Sequence, residues 1–315
     1  WISPLRQRHS VRSHLFPEPN MKVLVTGGAG FIGSHVVDLL LKEGAEVHIF
    51  DSFIMGKRER VPRGVRVIEG DIRDRSALEE AMRDMTHVVH LAALVSVPAS
   101  IEDPALTHEV NVVGTKNVLE AARVAGVGRV VYASSAAVYG DHPELPKTEE
   151  SPLQPKSPYA SSKVANETDA LASGLSTVGL RFFNVYGPGQ EADHPYASVI
   201  PRWVAAAKED RVIELHGDGT QTRDFIHVHD VARAILLALK SAYVGICNVA
   251  SGIETVLQDV LQHIGGALDK DILHERTPSR AGDIKRSVAR VDRARETLGF
   301  EAGIPLKEGL KDLLS

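Results

Sequence analysis

Lys22–Ser34, KVLVTGGAGFIGS, changes its period halfway along. Val23, Leu24 and Val25 form a short β-branched, apolar run, the mark of a buried strand, whereas Ile32 to Leu41 recurs with helical spacing. Between them Gly27, Gly30 and Gly33 stand three residues apart. The first glycine permits a tight turn out of the strand, the second lets backbone approach a pyrophosphate, and the third lets the helix sit close on the sheet. Free N–H groups and the dipole of the first helical turn then face the phosphates. Val47 to Phe50 is the next strand candidate, and it ends on Asp51, about 20 residues past the turn, where a carboxylate meets an adenosine ribose. Strand, turn, helix and carboxylate together point to a bound dinucleotide. Asp51 favours NAD over NADP, because it would repel a 2′-phosphate.

With 315 residues the chain can bury a sizeable core, and its length suggests about two domains. A composition of 43% hydrophobic and 24% charged residues is that of a globular enzyme. The net charge of -5 gives no electrostatic reason to expect nucleic acid as a partner. Cys247 is the single cysteine, which excludes an internal disulfide framework and suits a reducing, cytoplasmic setting. No run of about 18 apolar residues offers a membrane span, and no residues are assigned to a metal. Residues 1–20 carry Arg6, Arg8, His9, Arg12 and His14 among scattered prolines, and Met21 stands immediately before the first strand. They read as a leader or start-site artefact outside the fold, with an organelle transit segment as the rival reading.

Further strands are expected at Val65–Glu69, His87–Leu91, Arg129–Ala133 and Val178–Phe183. Helices are expected near Ser76–Asp84, over Pro104–Ala125 with Asp103 as cap and Gly126 as stop, and over Tyr159–Leu171. Asp71 and Ile72 follow a strand end and are placed to bracket an adenine, the carboxylate on its amine and the aliphatic face on its ring. As an alternative, Asp71 is a turn residue or helix cap. Ala92 and Ala93 are small enough for backbone to pass beside a cofactor, and Asn111 is a polar residue on an otherwise regular helix. This alternation predicts a Rossmann-like, doubly wound α/β parallel sheet with a smaller, mixed C-terminal domain. Residues 21–184 are expected to be mainly NAD-binding and residues 185–315 mainly substrate-binding. Helices near Val199–Lys208, Val228–Leu239, Thr255–Ile264 and Arg290–Leu298 fall in the second part, and segments near 225–250 return to the sheet.

Tyr159 and Lys163 stand at i and i+4, so one helical face presents both. A phenol has a reference pKa near ~10, and an adjacent ammonium together with a positively charged nicotinamide favours its phenolate. Ser135, at a strand end, can donate to the same substrate oxygen, and Lys163 can hold the nicotinamide ribose.

On these motifs the chain resembles the extended short-chain dehydrogenases/reductases, and within them nucleotide-sugar 4-epimerases of the UDP-glucose 4-epimerase type. The resemblance runs from Met21 almost to the C-terminus. It rests on TGGAGFIGSH (Thr26–His35), GDIRD (Gly70–Asp74), HLAA (His90–Ala93), NVVGT (Asn111–Thr115), SSAAVYG (Ser134–Gly140) and YASSK (Tyr159–Lys163). RFFNVYGPGQ (Arg181–Gln190), TRDFIHVHD (Thr222–Asp230) and RAGD (Arg280–Asp283) belong to the sugar-nucleotide half. It implies Tyr159 as acid/base, Ser135 as its partner on the sugar 4-hydroxyl and Lys163 as the cofactor lysine. It extends the cofactor shell to Phe31, Ile32, Leu91, Asn111 and Phe182. Asn184, Val199, Arg223, Arg280 and Asp283 would hold the UDP-sugar. The implied reaction passes through a transient 4-keto sugar, with NAD tightly bound and regenerated each cycle, in a homodimer joined through the Pro104–Ala125 and Tyr159–Leu171 helices.

The chain departs from the family pattern at two positions, Ala137 and Val95. Ala137 replaces a usual Thr, and Ala136-Ala137 supplies neither the Asp-Glu pair of the 4,6-dehydratases nor the Glu of the uronate decarboxylases. Val95 stands where some epimerases have Lys. Ser287 occupies a position where a large Tyr restricts relatives to plain hexoses and a small residue admits an N-acetyl group. YGDHPELPK (Tyr139–Lys147) also resembles epimerases favouring N-acetylated sugars, so activity on both UDP-Glc/UDP-Gal and UDP-GlcNAc/UDP-GalNAc is expected. The alternatives are a nucleotide-sugar dehydrogenase or reductase with net redox, and a catalytically silent nucleotide-sugar-binding protein.

Overall fold

The computed structural model describes residues 21–192, 197–278 and 284–314. The central sheet contains β1 (Lys22–Thr26), β2 (Glu46–Asp51), β3 (Arg66–Glu69), β4 (His87–His90), β5 (Arg129–Ser135), β6 (Thr177–Phe182) and β11 (Gly245–Val249). Its order is β11-β6-β5-β4-β1-β2-β3, with every pairing parallel. This is a Rossmann-like α/β sheet, and its order reverses between β1 and β4. Strands covered on both faces must be apolar on both faces, which is why Val23, Leu24, Val25, Val88, Val89, Val130 and Val131 form unbroken runs that are almost completely buried.

One face is covered by α1 (Phe31–Lys42), α8 (Val228–Lys240) and α10 (Asp292–Leu298), whose Val36, Leu40, Ile235, Leu239, Ala294 and Leu298 share one core. The other is covered by α2 (Arg75–Ala81), α5 (Gly114–Ala125) and α6 (Pro158–Ala172), through Leu78, Val118, Leu119, Ala122 and Ala170. A third core, around Trp203, Ile213, Leu215, Phe225, Leu261 and Leu310, holds the smaller lobe. It includes α7 (Val199–Lys208), α9 (Leu257–Leu268) and α11 (Leu306–Leu314), and three short strand pairs accompany them. These are β7 (Asn184–Tyr186) with β10 (Phe225–His227), β8 (Ile213–His216) with β13 (His274–Thr277), and β9 (Thr222–Arg223) with β12 (Thr255–Val256).

Several elements differ from the sequence reading. The expected helix over Pro104–Ala125 is α4 (Pro104–His108), a π turn at Glu109–Val113 and then α5, and it is preceded by an unforeseen α3 (Val97–Glu102). Asp103 does cap α4, accepting the Leu106 N–H at 2.9 Å, and Gly126 ends α5 at a left-handed φ of 69°. Thr255 and Val256 pair with β9 as a strand, so α9 begins only at Leu257. Helix α10, expected in the smaller domain, packs on β11 and α8 instead. An amphipathic stretch can lie on either core, and only the chain path decides which. Helix α11 has no counterpart in the sequence reading. Among the described residues no helix is long and apolar enough to cross a membrane.

Candidate active site

β1 leaves the sheet into the glycine turn, where Gly27 adopts φ +72° and a Cβ would meet the Ala92 backbone nitrogen at 2.7 Å. A Cβ on Gly33 would lie 2.1 Å from the Gly27 carbonyl oxygen, so the close packing that Gly33 permits is against the turn itself rather than the sheet. At Gly30 an added Cβ would meet only the Gly27 oxygen, at 3.1 Å, and α1 begins there without a side-chain cap. That leaves an uncrowded helix N-terminus suited to a pyrophosphate, with Phe31 and Ile32 as its first residues. Asp51 ends β2 beside it. Its carboxylate accepts the Ala29 N–H and the Phe53 N–H, both at 2.9 Å, so it braces the turn. The cradle fits a dinucleotide.

Of the two adenine-side expectations, the one for the Ile72 side chain needs correction. The Asp71 carboxylate is held by the Arg73 backbone N–H at 2.8 Å and by its guanidinium at 2.6 to 3.1 Å, and that hydrogen bonding pulls its pKa below the usual carboxylate range. It is not the cap of α2; Asp74 is, accepting the Ala77 N–H at 3.1 Å. Ile72 is buried in the core against Gly114, so its side chain offers no aliphatic face to a ring.

Leu91, Ala92 and Ala93 follow β4 directly. Asn111 is a correction. Its side chain accepts the Leu94 N–H at 2.8 Å and donates to the Leu94 carbonyl at 2.9 Å and to the Ser162 hydroxyl at 3.1 Å. It therefore clamps the segment after β4 to α6 instead of presenting a free amide to a ligand. Its own carbonyl accepts from Thr115 and Asn166, at 2.6 and 2.7 Å, because the π turn tilts it out of the helical ladder. Thr115 and Thr26 flank the buried His90 ring, at 2.9 and 2.7 Å.

Ser135 closes β5, and its oxygen accepts the Ala137 N–H at 3.2 Å, which starts a short 3-10 turn over Ala136–Tyr139. Ser157 caps α6, accepting the Ala160 N–H at 3.1 Å, with Pro158 at the first helical position. That start sets Tyr159 over the sheet edge and Lys163 one turn behind it. Burial raises the Tyr159 pKa and a hydrogen bond with Ser135 opposes the rise. Lys163 is buried, donates to the Ala133 carbonyl at 2.9 Å, and is pulled down to about 8 by burial against the opposing charge of Glu167. Its Nζ lies 5.8 Å from the Tyr159 ring centre.

The brace beneath this pair was not read from the sequence. Glu167, one further turn along α6, is buried with Arg181 at 2.8 and 2.7 Å and accepts from Ser134 at 2.5 Å. Arg181 also donates to the Tyr139 hydroxyl at 2.8 Å, which in turn donates to Asn248 at 2.6 Å. The i+4 spacing from Lys163 put Glu167 on the right face, but its partners come from β5 and β6.

Ser135, Tyr159, Phe182, Asn184, Val199, Arg223 and Ser287 all line one cavity of about 680 Å³ between the sheet edge and the smaller lobe. Ala137 and Val95 line it too, so both family departures face the same space. Arg223 donates to the Thr222 and Ile284 carbonyls at 2.8 and 2.6 Å. The neighbouring Asp224 is buried and accepts the Ser251, Gly252 and Ala289 N–H groups at 2.8 to 3.1 Å, holding the loop that carries Ser287. Lys147, Arg202, Trp203, Glu214 and His216 also line the cavity, and sequence reasoning assigned them no role. Arg280 and Asp283 lie outside the described residues.

The model of the NAD dependent epimerase/dehydratase family matches residues 23–250. A UDP-glucose 4-epimerase from Mycolicibacterium smegmatis is 38% identical over 92% of this chain and 96% of its own. A UDP-N-acetyl-α-D-glucosaminuronate decarboxylase from Bacillus cytotoxicus is 33% identical over 93% and 96%. Among solved structures, a UDP-N-acetylglucosamine 4-epimerase from Methanobrevibacter ruminantium, in complex with UDP-N-acetylmuramic acid, superposes with a TM-score of 0.90. It is 35% identical, covering 94% of this chain and 98% of its own. The Thermus thermophilus UDP-glucose 4-epimerase in complex with NAD gives a TM-score of 0.86 at 41% identity, over 93% and 98%.

Proposed function

The chain belongs to the NAD dependent epimerase/dehydratase family, and we propose that it is a UDP-hexose 4-epimerase acting on UDP-glucose/UDP-galactose and UDP-GlcNAc/UDP-GalNAc. The observation that carries this reading is one cavity lined by Ser135, Tyr159, Asn184, Arg223 and Ser287, beside a glycine turn fitted to a dinucleotide. Relatives bearing epimerase names, one of them solved with NAD, support it.

In this reading Gly27, Gly30 and Gly33 with Asp51 hold the cofactor's adenosine diphosphate half, and Lys163 holds its nicotinamide ribose. NAD bound there supplies a hydride acceptor that returns the hydride in the same cycle, so it stays on the protein. The ammonium of Lys163 and the positive charge of a bound nicotinamide would offset the burial of Tyr159 and favour its phenolate. The phenolate would then take the proton of the sugar 4-hydroxyl and later give it back, while Ser135 donates to that same oxygen. Arg223 faces the diphosphate with a planar donor fork. The cavity would have to let a 4-keto sugar turn over, so that its other face is presented to the cofactor side. Ala136 and Ala137 bring no carboxylate to the sugar, which favours epimerisation over dehydration or decarboxylation. Ser287 leaves room for a 2-acetamido group. The enzyme is further proposed to work in the cytoplasm as a homodimer.

The test uses UDP-galactose and UDP-GalNAc with no NAD added, on the wild type and on Ser287→Tyr. Both sugars should be converted by the wild type. Ser287→Tyr should spare UDP-galactose and lower kcat/KM for UDP-GalNAc at least tenfold, about 1.4 kcal/mol. Turnover that needs stoichiometric external NAD would instead identify a dehydrogenase. Absence of any conversion, with NAD retained, would leave a nucleotide-sugar-binding protein.

A further inference from the structure

At the start of α8 three side chains converge that the proposed reaction does not use. His227 ends β10, His229 lies in the first turn of α8, and Asp312 lies on α11. One ligand atom from each lies within 4.8 Å of the others, and His227 Nε2 stands 3.8 Å from the Asp312 carboxylate. His227 is wholly buried, and its Nε2 makes no hydrogen bond. A buried imidazole nitrogen left without a partner is costly, by about 1–3 kcal/mol, unless something else meets it. The Tyr186 hydroxyl beside it, with ring centres 5.3 Å apart, is likewise buried and without a partner. Gly309 on α11 permits this approach, since a Cβ there would lie 2.3 Å from the Tyr186 oxygen and 2.8 Å from His227.

We propose that His227, His229 and Asp312 form a binding site for one divalent transition ion of zinc type, which fastens α11 to the start of α8. Two imidazoles and a carboxylate are the ligand chemistry of zinc, with water as the fourth ligand. Bonds of 2.0–2.2 Å to a tetrahedral ion put ligand atoms about 3.3 Å apart. His227 and Asp312 are already close to that, and the exposed His229 and Asp312 side chains can rotate through the remainder. His227 is rigid, so it sets the position of the ion. Its Nδ1 accepts the His229 N–H at 3.3 Å, which keeps its proton on Nε2 when no ion is bound. On binding, the ion takes Nε2, the ring proton resides on Nδ1, and that long, weak hydrogen bond is lost. Tyr186 can donate to the ligated carboxylate or the bound water, the kind of outer contact that orients metal ligands.

The location couples the site to the fold. The His229 ring packs edge-on against His35 of α1, with centres 4.9 Å apart, and His35 meets the Pro188 carbonyl at 2.8 Å. An ion here would tie the C-terminal helix to the helix that follows the glycine turn.

The test titrates chelator-treated, tag-free protein with Zn²⁺ by calorimetry and with Co²⁺ by visible absorption, for wild type, His229→Ala and Asp312→Asn. The wild type should bind one equivalent, develop the intense d–d bands of low-coordinate cobalt, gain thermal stability, and slow hydrogen exchange across Leu306–Leu314. Each variant should weaken binding at least tenfold and lose the stabilisation. No stoichiometric binding by the wild type would overturn the proposal. So would unchanged binding in both folded variants, which would put the ion elsewhere.

Discussion

Tyr159 reaches the cavity as a phenol whose pKa is raised by burial, and the Ser135 hydrogen bond is what opposes that rise. Its value to the reaction lies in a single oxygen. Tyr159→Phe should leave the fold and UDP binding nearly intact while lowering turnover roughly 10²- to 10⁴-fold, the usual worth of a positioned proton-transfer group. Near-normal turnover would remove Tyr159 from its role. His90 shows the opposite strategy, a titratable group kept silent. Thr115 donates to the Asn111 carbonyl, so toward His90 it accepts and Nε2 carries the proton; Nδ1 then accepts from Thr26. Burial, aided by the Lys163 charge, holds His90 down at about 3. The unfolded chain takes up that proton first, near ~6.5, so stability is complete above this pH and falls as the pH drops toward 3. Over the whole interval the loss is on the order of 5 kcal/mol. Nitrogen-15 NMR should find the His90 ring neutral and unchanging from pH 8 to about 5, with its proton on Nε2. Titration near the ordinary histidine value would contradict this network.

At the scale of elements, the glycine turn and α6 position everything else. Gly33→Ala would drive a methyl group to 2.1 Å from the Gly27 oxygen, so α1 must lift from the turn that it shapes. This variant should lose retained NAD and about 2 kcal/mol of stability, as overpacked sites do. Gly266→Ala is the control. It lies within α9 with nothing near an added Cβ, and should stabilise by roughly 0.5–1 kcal/mol. Equal NAD retention by the two variants would show that close packing at Gly33 is dispensable. Helix α6 is pinned differently, by the buried Glu167–Arg181 pair beneath Lys163. Removing one member of such a pair leaves an uncompensated buried charge, so Arg181→Met should misplace Tyr159 and Lys163 even though it touches neither.

For the whole molecule, α3, α4, the π turn and α5 pack beside α6 on one side of the sheet, and this face leaves Ile101, Val124 and Leu171 exposed. Val164, by contrast, packs within the protein against the cluster around Val138 and Phe183. Apolar residues left on paired helices are what a second copy would cover. Light scattering at micromolar concentration should therefore give twice the chain mass of 34.1 kDa. A monomeric mass would exclude a stable dimer.

The sequence by itself determined the parallel sheet, the glycine turn, Asp51 at the second strand end, and Tyr159 with Lys163 on one helix face. Each of these is written in a period or a short spacing, and local geometry then fixes the outcome. It also made Ser135, Asn184, Arg223 and Ser287 candidates through motifs, without the cavity that joins them. Only the tertiary structure decided which core α10 covers, that Asn111 clamps Leu94, that Ile72 faces inward, and that Arg181 braces α6. It alone brought His227, His229 and Asp312 together. These contacts join residues far apart in the chain, and the path that closes such distances is set by the packing of whole elements, which no local pattern records.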